Sequence, residues 1–379
     1  MEKGKGQRKL WLCFLAVGLL MGLLINVSSS SMAKGQIVGK KDVKVQIRKD
    51  AEEVGKNDEG KTRYIIYHKN ARDGKKVKVK YQSKCQKENE NVEKYGKKNF
   101  TLAGITSQEF QNLKKDENII IEKDYLLEGS SSDKEWQKGL DIVVEEAWDV
   151  KAVRAEDADV KVDKKIKVAV LDSGLDKFAK LSVDGCVNFV NPEMEDIGVD
   201  TTGHGTAVQN IIMSGDGSVA TESVSAENSG ISMYSVKVLD EKNQAPVSRI
   251  ASAIQWCIEN EMDIINMSFG TLVQSEVLGQ VVRDASDAGI LMIAATGNGG
   301  DATESTVEYP AAYSEVIGVG SVNQEMEVSD FSAKGQEVEL VAPGENVPVS
   351  VPWGFYGVNT GTRLCHSCCH GCFFPPVCD

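Results

Sequence analysis

Apolar residues follow two rhythms along the C-terminal two thirds of the chain. Uninterrupted short runs read as strands buried on both faces: Lys164–Leu171, Ile231–Leu239, Asp263–Phe269, Ile290–Thr296, Val316–Val322 and Val338–Val341. Between them apolar positions recur every three or four residues. That spacing predicts helices over Ile142–Val150, over the residues after His204 (Ala207, Val208, Ile211, Ile212), over Ser248–Glu259 and over Val277–Ala288. In the third of these, Ile250, Ala253, Ile254 and Cys257 share one face. Strands alternating with helices, each strand apolar throughout, imply a parallel sheet covered by helices on both sides. No internal repeat is visible.

The N-terminal third is patterned differently. Lys3, Lys5, Arg8 and Lys9 precede an uncharged run from Leu10 to Val27, and small residues follow from Ser28 to Ala33. This is the form of a secretory leader over residues 1–33, with an uncleaved membrane anchor through residues 10–27 as the competing reading. Residues 34–132 are lysine-rich. Arg63–His68 and Val77–Tyr81 read as strands, Thr106 and Glu109 as a capping box opening a short helix with Phe110 and Leu113 on one face, and Ile119–Asp124 as another strand. Together they form a small α+β module. Glu128–Asp133 reads as a polar linker, so the next domain begins at residue 133.

Charge sharpens this division. Residues 34–132 carry 23 Lys and Arg against 16 Asp and Glu, whereas residues 133–379 carry 16 against 39. Two parts of opposite sign are expected to attract each other. The acidic part would be repelled by nucleic acid and by anionic lipid, so neither is an expected partner. Of nine cysteines, five (Cys365, Cys368, Cys369, Cys372 and Cys378) fall in the last 15 residues, leaving the body of the chain cysteine-poor.

Chemistry collects at the ends of the predicted strands. Asp172 follows the run Val168–Leu171 and precedes the turn Ser173-Gly174; His204 lies in Thr202-Gly203-His204-Gly205-Thr206; Asn298 closes Ala294-Ala295-Thr296-Gly297-Asn298. Each alone is a weak signal. In this order, each in its expected local structure, they resemble the subtilisin-like serine proteases, over most of residues 136–362. The resemblance implies a three-layer α/β/α fold with a mostly parallel central sheet, preceded by a small α+β propeptide over residues 34–132 that inhibits and chaperones the peptidase domain. It implies His204 as general base, Asp172 as the acceptor that fixes the imidazole tautomer, and Asn298 as a donor to the oxyanion. It also implies substrate binding along Ser268, Phe269 and Gly270, with Ala295, Thr296 and Gly297 as a wall of the pocket for the residue before the scissile bond. Tyr309-Pro310-Ala311, Asp330-Phe331-Ser332 and Ala342-Pro343-Gly344 resemble further family landmarks. Expected partners are protein or peptide substrates and the chain's own propeptide, with a membrane only if the leader is uncleaved. No cofactor is required; calcium is common in the family, but no loop is dense enough in carboxylates to assign a site.

The pattern breaks at the nucleophile. The family reads Gly-Thr-Ser-Met/Phe-Ala; this chain reads Gly361-Thr362-Arg363-Leu364-Cys365. Arginine has no transferable proton near neutral pH. The Cys-x-x-Cys spacing after it fits a zinc knuckle, but back-translation with one base removed at codon 363 permits Gly-Thr-Ser-Phe-Ala-Thr-Pro-Ala-Val, and cysteine codons become alanine codons. Residues 363–379 therefore read as a frameshifted tail on an incomplete peptidase domain. The expectation is a secreted subtilisin-like endopeptidase that is inactive as written. The alternative is a non-catalytic peptide-binding pseudoprotease.

Overall fold

A computed structural model describes residues 62–69, 99–129, 137–138, 148–153, 165–179, 181, 183–192, 199–213, 230–300, 305–351 and 355–364. All lie within one compact unit, Ala51–Asp379. The leader, the Val77–Tyr81 strand and the tail cysteines fall outside the described residues. No helix among the described residues is long and apolar enough to cross a membrane.

The N-terminal module is built on β1 (Arg63–His68), β2 (Phe100–Gly104) and β3 (Ile119–Lys123), an antiparallel sheet with β1 in the centre. Helix α1 (Ser107–Leu113) carries the expected capping box: Glu109 N–H donates to Thr106 Oγ1, and Thr106 N–H donates back to Glu109 Oε2. Phe110 and Leu113 pack on Tyr64 and Ile66, with the rings of Tyr64 and Phe110 centred 5.0 Å apart.

The remaining elements follow in chain order: β4 (Leu126–Gly129), β5 (Gln137–Lys138), α2 (Trp148–Val153), β6 (Ile166–Asp172), β7 (Gly185–Asn188), α3 (His204–Met213), β8 (Ile231–Lys237), β9 (Gln244–Pro246), α4 (Val247–Glu259), β10 (Ile264–Met267), β11 (Phe269–Gly270), α5 (Glu276–Asp287), β12 (Leu291–Ala295), β13 (Val316–Val322), β14 (Leu340–Pro343), β15 (Val347–Val351) and β16 (Phe355–Asn359). Among the described residues, seven strands pair in parallel in the order β14-β13-β12-β10-β6-β8-β7. Strand β6 shows why its run is apolar throughout. Val168 and Val170 face the layer containing α3, while Ala169 and Leu171 face the layer containing α4 and α5. The sheet is thus covered on both sides. Strand order reverses between β6 and β10, which opens a crevice at their carboxyl ends.

Several expected boundaries move. Glu128 and Gly129 are not linker: they end strand β4, which lies between β9 and β11. The helix expected over Ile142–Val150 runs on to Val153; it is described from Trp148, its earlier residues being outside the described set. The run Asp263–Phe269 is two strands, β10 and β11, broken at Ser268. The first central strand takes in Asp172, and the last expected strand shifts to Leu340–Pro343.

Candidate active site

Asp172 is the last residue of β6 and is wholly buried. Its carbonyl is pinned by the amides of Val238 and Leu239 at 2.7 and 3.1 Å, which fixes where the side chain leaves the sheet. Oδ1 accepts from the Ser173 amide and lies 2.6 Å from Nδ1 of His204, the first residue of α3. Burial pushes the Asp172 carboxyl up. The His204 charge and hydrogen bond, the Ser173 amide and the Ser268 hydroxyl outweigh it and hold the group below the usual carboxylate range. An ionised carboxylate only accepts, so the Nδ1 that faces it carries a proton and donates. Nε2 is buried with no hydrogen-bond partner among the described residues.

The approach of α3 to the sheet is close. A Cβ added to Gly205 would run into the Gly174 carbonyl and stand 3.1 Å from Asp172 Oδ1, so glycine is required there. Asp200, which the sequence reading missed, holds the loop before His204. Its carboxylate accepts from the amides of Thr202, Gly203 and Thr206 and from the hydroxyls of Ser173, Thr202 and Thr206. An Asp four residues ahead of a helix start was the available signal. Ser173 in turn accepts the Gly205 amide at 2.8 Å, and the buried Lys237 ammonium donates to the Ser173 carbonyl. Burial pulls Lys237 down; Asp200, Asp172 and Asp240 pull it back up.

Asn298, half-buried after β12, accepts both the amide and the hydroxyl of Thr362 on Oδ1, at 3.1 and 2.9 Å. That orients the side-chain amide by its oxygen and turns the Nδ2 donors away from Thr362. Arg363 follows on the helical turn 362–364 and is 3% exposed. Burial draws its guanidinium down to about 10 against the pull of Asp172. Asp172, His204, Asn298 and Arg363, far apart in sequence, therefore converge at one end of the sheet.

The segment expected to bind substrate pairs within the chain. Phe269 and Gly270 lie antiparallel to Gly129 and Glu128, while Leu126, Leu127 and Glu128 pair on their other edge with Pro246, Ala245 and Gln244. The Gly129 amide donates to the Asn243 carbonyl at 2.7 Å, and Leu127 is fully buried. The second wall, Ala295, Thr296 and Gly297, continues from β12, with Gly297 at φ 98°. Thr296 accepts the Glu308 amide at 2.9 Å, and Tyr309 and Thr271 exchange backbone hydrogen bonds, so residues 308–309 tie the two walls together. Among the described residues no three His, Cys, Asp or Glu side chains group to hold a metal ion.

A parallel α/β/α sheet with an Asp–His pair at its strand-order reversal defines the chain's structural class, and comparison with known sequences gives the family. The sequence model of the Subtilase family matches residues 163–370. Subtilisin amylosacchariticus of Bacillus subtilis subsp. amylosacchariticus is 40% identical over 201 residues, covering 52% of each protein. The major intracellular serine protease of Bacillus subtilis (strain 168) is 40% identical over 209 residues, 53% of this chain and 65% of that protein. The thermostable alkaline protease of Halalkalibacterium halodurans is 32% identical over 266 residues, 69% of this chain and 68% of that protein. The chain belongs to the subtilase family of serine proteases. It spans about half the length of the subtilisins it matches.

Proposed function

We propose that this chain is the precursor form of a subtilisin-like serine endopeptidase whose nucleophile position holds Arg363. The observation that carries the reading is the buried 2.6 Å contact between His204 Nδ1 and Asp172 Oδ1, with Nε2 left without a hydrogen-bond partner among the described residues. In the active counterpart, a serine hydroxyl at 363 gives its proton to Nε2 as its oxygen attacks a peptide carbonyl. Asp172 holds the tautomer and stabilises the imidazolium. Asn298 Nδ2 donates to the developing oxyanion, an interaction worth about 3–4 kcal/mol in such sites. With arginine at 363 no acyl-enzyme forms, so the chain as written is inactive. Residues 34–132 serve as the inhibitory propeptide, and the pairing of Leu126–Gly129 with β11 supports this by filling the cleft as a peptide would. Export rests on the leader pattern of residues 1–33.

A fluorophosphonate probe tests the assignment. The native chain is expected to stay unlabelled. Arg363→Ser is expected to gain labelling, and adding His204→Ala to abolish it. A folded Arg363→Ser chain that remains unlabelled removes 363 as the nucleophile position. The second reading, a peptide-binding pseudoprotease, draws on the same β4–β11 pairing without any chemistry. Peptide binding by the native chain, with no gain of labelling in the serine variant, favours it.

A further inference from the structure

Ser173 has each of its polar groups engaged by a different part of the active site. Its amide donates to Asp172 Oδ1. Its hydroxyl donates to Asp200 Oδ1 at 2.9 Å and accepts the Gly205 amide at 2.8 Å, and its carbonyl accepts from the Lys237 ammonium. The first three contacts join the carboxylate that faces His204, the carboxylate that holds the loop before it, and the first turn of α3. The fourth comes from the neighbouring strand. Lys237 ends β8, level with Asp172 in the parallel register of β6 and β8, and is 7% exposed. Gly174 follows Ser173 at φ 107°, and its carbonyl accepts from Gln209 Nε2 of α3 at 2.9 Å. The Ser173–Gly174 turn is thus held from the sheet by Lys237 and from the helix by Gln209.

This corner of the site calls for a cation. Asp172 and Asp200 are both buried, and two carboxylates desolvated together destabilise each other unless positive charge lies with them. Lys237 is attracted by Asp200, Asp172 and Asp240 and repelled by Arg249. Arg363 also attracts Asp172, but a chain with serine there loses that charge and keeps Lys237. We propose that Lys237 is a positioning residue for catalysis: by clamping the Ser173 carbonyl beside two buried carboxylates, it sets the turn that keeps Asp172 and the start of α3 in hydrogen-bond register. It acts through Ser173 and not on substrate. Its part in catalysis rests on the reading of this chain as a serine peptidase whose nucleophile belongs at 363; its part in holding His204 against Asp172 does not.

The test takes two readouts from the full chain. A proton in a short hydrogen bond to a buried carboxylate resonates far downfield of the amide protons, so proton NMR reports the His204 Nδ1–H directly, assigned by its loss in His204→Ala. This signal needs no nucleophile and is read with Arg363 in place. The second readout is the rate of fluorophosphonate labelling in the Arg363→Ser background. Lys237→Met is expected to move the resonance upfield or remove it, and to slow labelling about tenfold or more. Lys237→Arg, which retains charge and donors, is expected to restore both. Phe100→Ala, which destabilises the N-terminal module, is expected to leave both in place. An unchanged resonance and labelling rate in a folded Lys237→Met chain overturn the inference. Equal losses in the Met and Arg variants also overturn it, and make Lys237 a filler of space. If Lys237→Met fails to fold, Lys237→Arg decides: the native resonance supports the inference and its loss overturns it. If Arg363→Ser alone stays unlabelled, the catalytic reading falls, while the resonance still decides whether Lys237 positions His204.

Discussion

Asp200 does for the backbone of His204 what Asp172 does for its ring. Six donors converge on its buried carboxylate, three of them amides at the approach to α3. Asp200→Ala would leave several of these unpaired and buried, at a cost of about 3 kcal/mol or more. Urea unfolding measures it; a loss within experimental error would show that the loop has other anchors. Gly205→Ala probes the same approach sterically. Its new methyl group would press on the Gly174 carbonyl and Asp172, and overpacking of this kind costs about 1–3 kcal/mol. Gly299→Ala, where the neighbouring atoms belong to the Thr306 side chain at 3.1 Å and beyond, is the control expected to cost less. Asp172, His204 and Asn298 were legible because each lies near an element end and within two residues of a glycine, and local pattern marks such ends. Asp200 was not, since its role depends on what the fold brings against it.

At the scale of elements, β3 and the residue after it supply carboxylates to two helix starts. Asp124 accepts the amide and hydroxyl of Ser248 in the first turn of α4 at 2.9 and 2.7 Å, and Arg63 pairs with it at 2.8 Å. Glu122 accepts the Glu276 amide at 2.8 Å and the Ser275 hydroxyl at the start of α5. Both place negative charge where helix dipoles favour it. Burial nevertheless dominates at Glu122 and raises it from 4.5 to about 7, with the Ser275 and backbone hydrogen bonds opposing. The folded state therefore holds a proton that the unfolded state releases between those values, so stability contributed here is present below 4.5 and falls as pH rises through about 7. The whole effect is at most about 3 kcal/mol. Urea midpoints of the native chain and Glu122→Gln, taken from pH 5 to pH 8, should diverge upward in favour of the glutamine variant; parallel profiles would sink the assignment. The capping box and most sheet strands were readable from sequence because propensity and burial agree in them. Strand β4 was not. Its last two residues, Glu128 and Gly129, read as the start of a polar linker, and only β9 and β11 make them part of a strand. The break at Ser268 was hidden for a similar reason, because the apolar run is continuous while the pairing partner changes from β6 and β12 to β4.

Across the whole molecule, the N-terminal module and the large sheet share one apolar core. Ile65, Tyr67, Phe100 and Leu102 belong to the same buried cluster as Ile250 and Ile254 of α4 and Val277 and Val281 of α5. Tyr67 also donates to Asp284 of α5 at 2.6 Å. A contact of this kind couples the stability of both parts, whereas a module held by surface charge alone would melt separately. The opposite charges of residues 34–132 and 133–379 add long-range attraction that salt screens beyond about 10 Å at 0.1 M; the shared core is not screened. Urea unfolding followed by tryptophan fluorescence (Trp148 and Trp256 report the large unit) and by far-UV circular dichroism should therefore give one coincident transition. Phe100→Ala, which removes a ring 2% exposed in the module, is expected to cost about 3–5 kcal/mol and to move both probes together. If only part of the dichroism shifts while the tryptophan transition stays in place, the two parts fold independently, and the shared cluster is a docking surface rather than a common core.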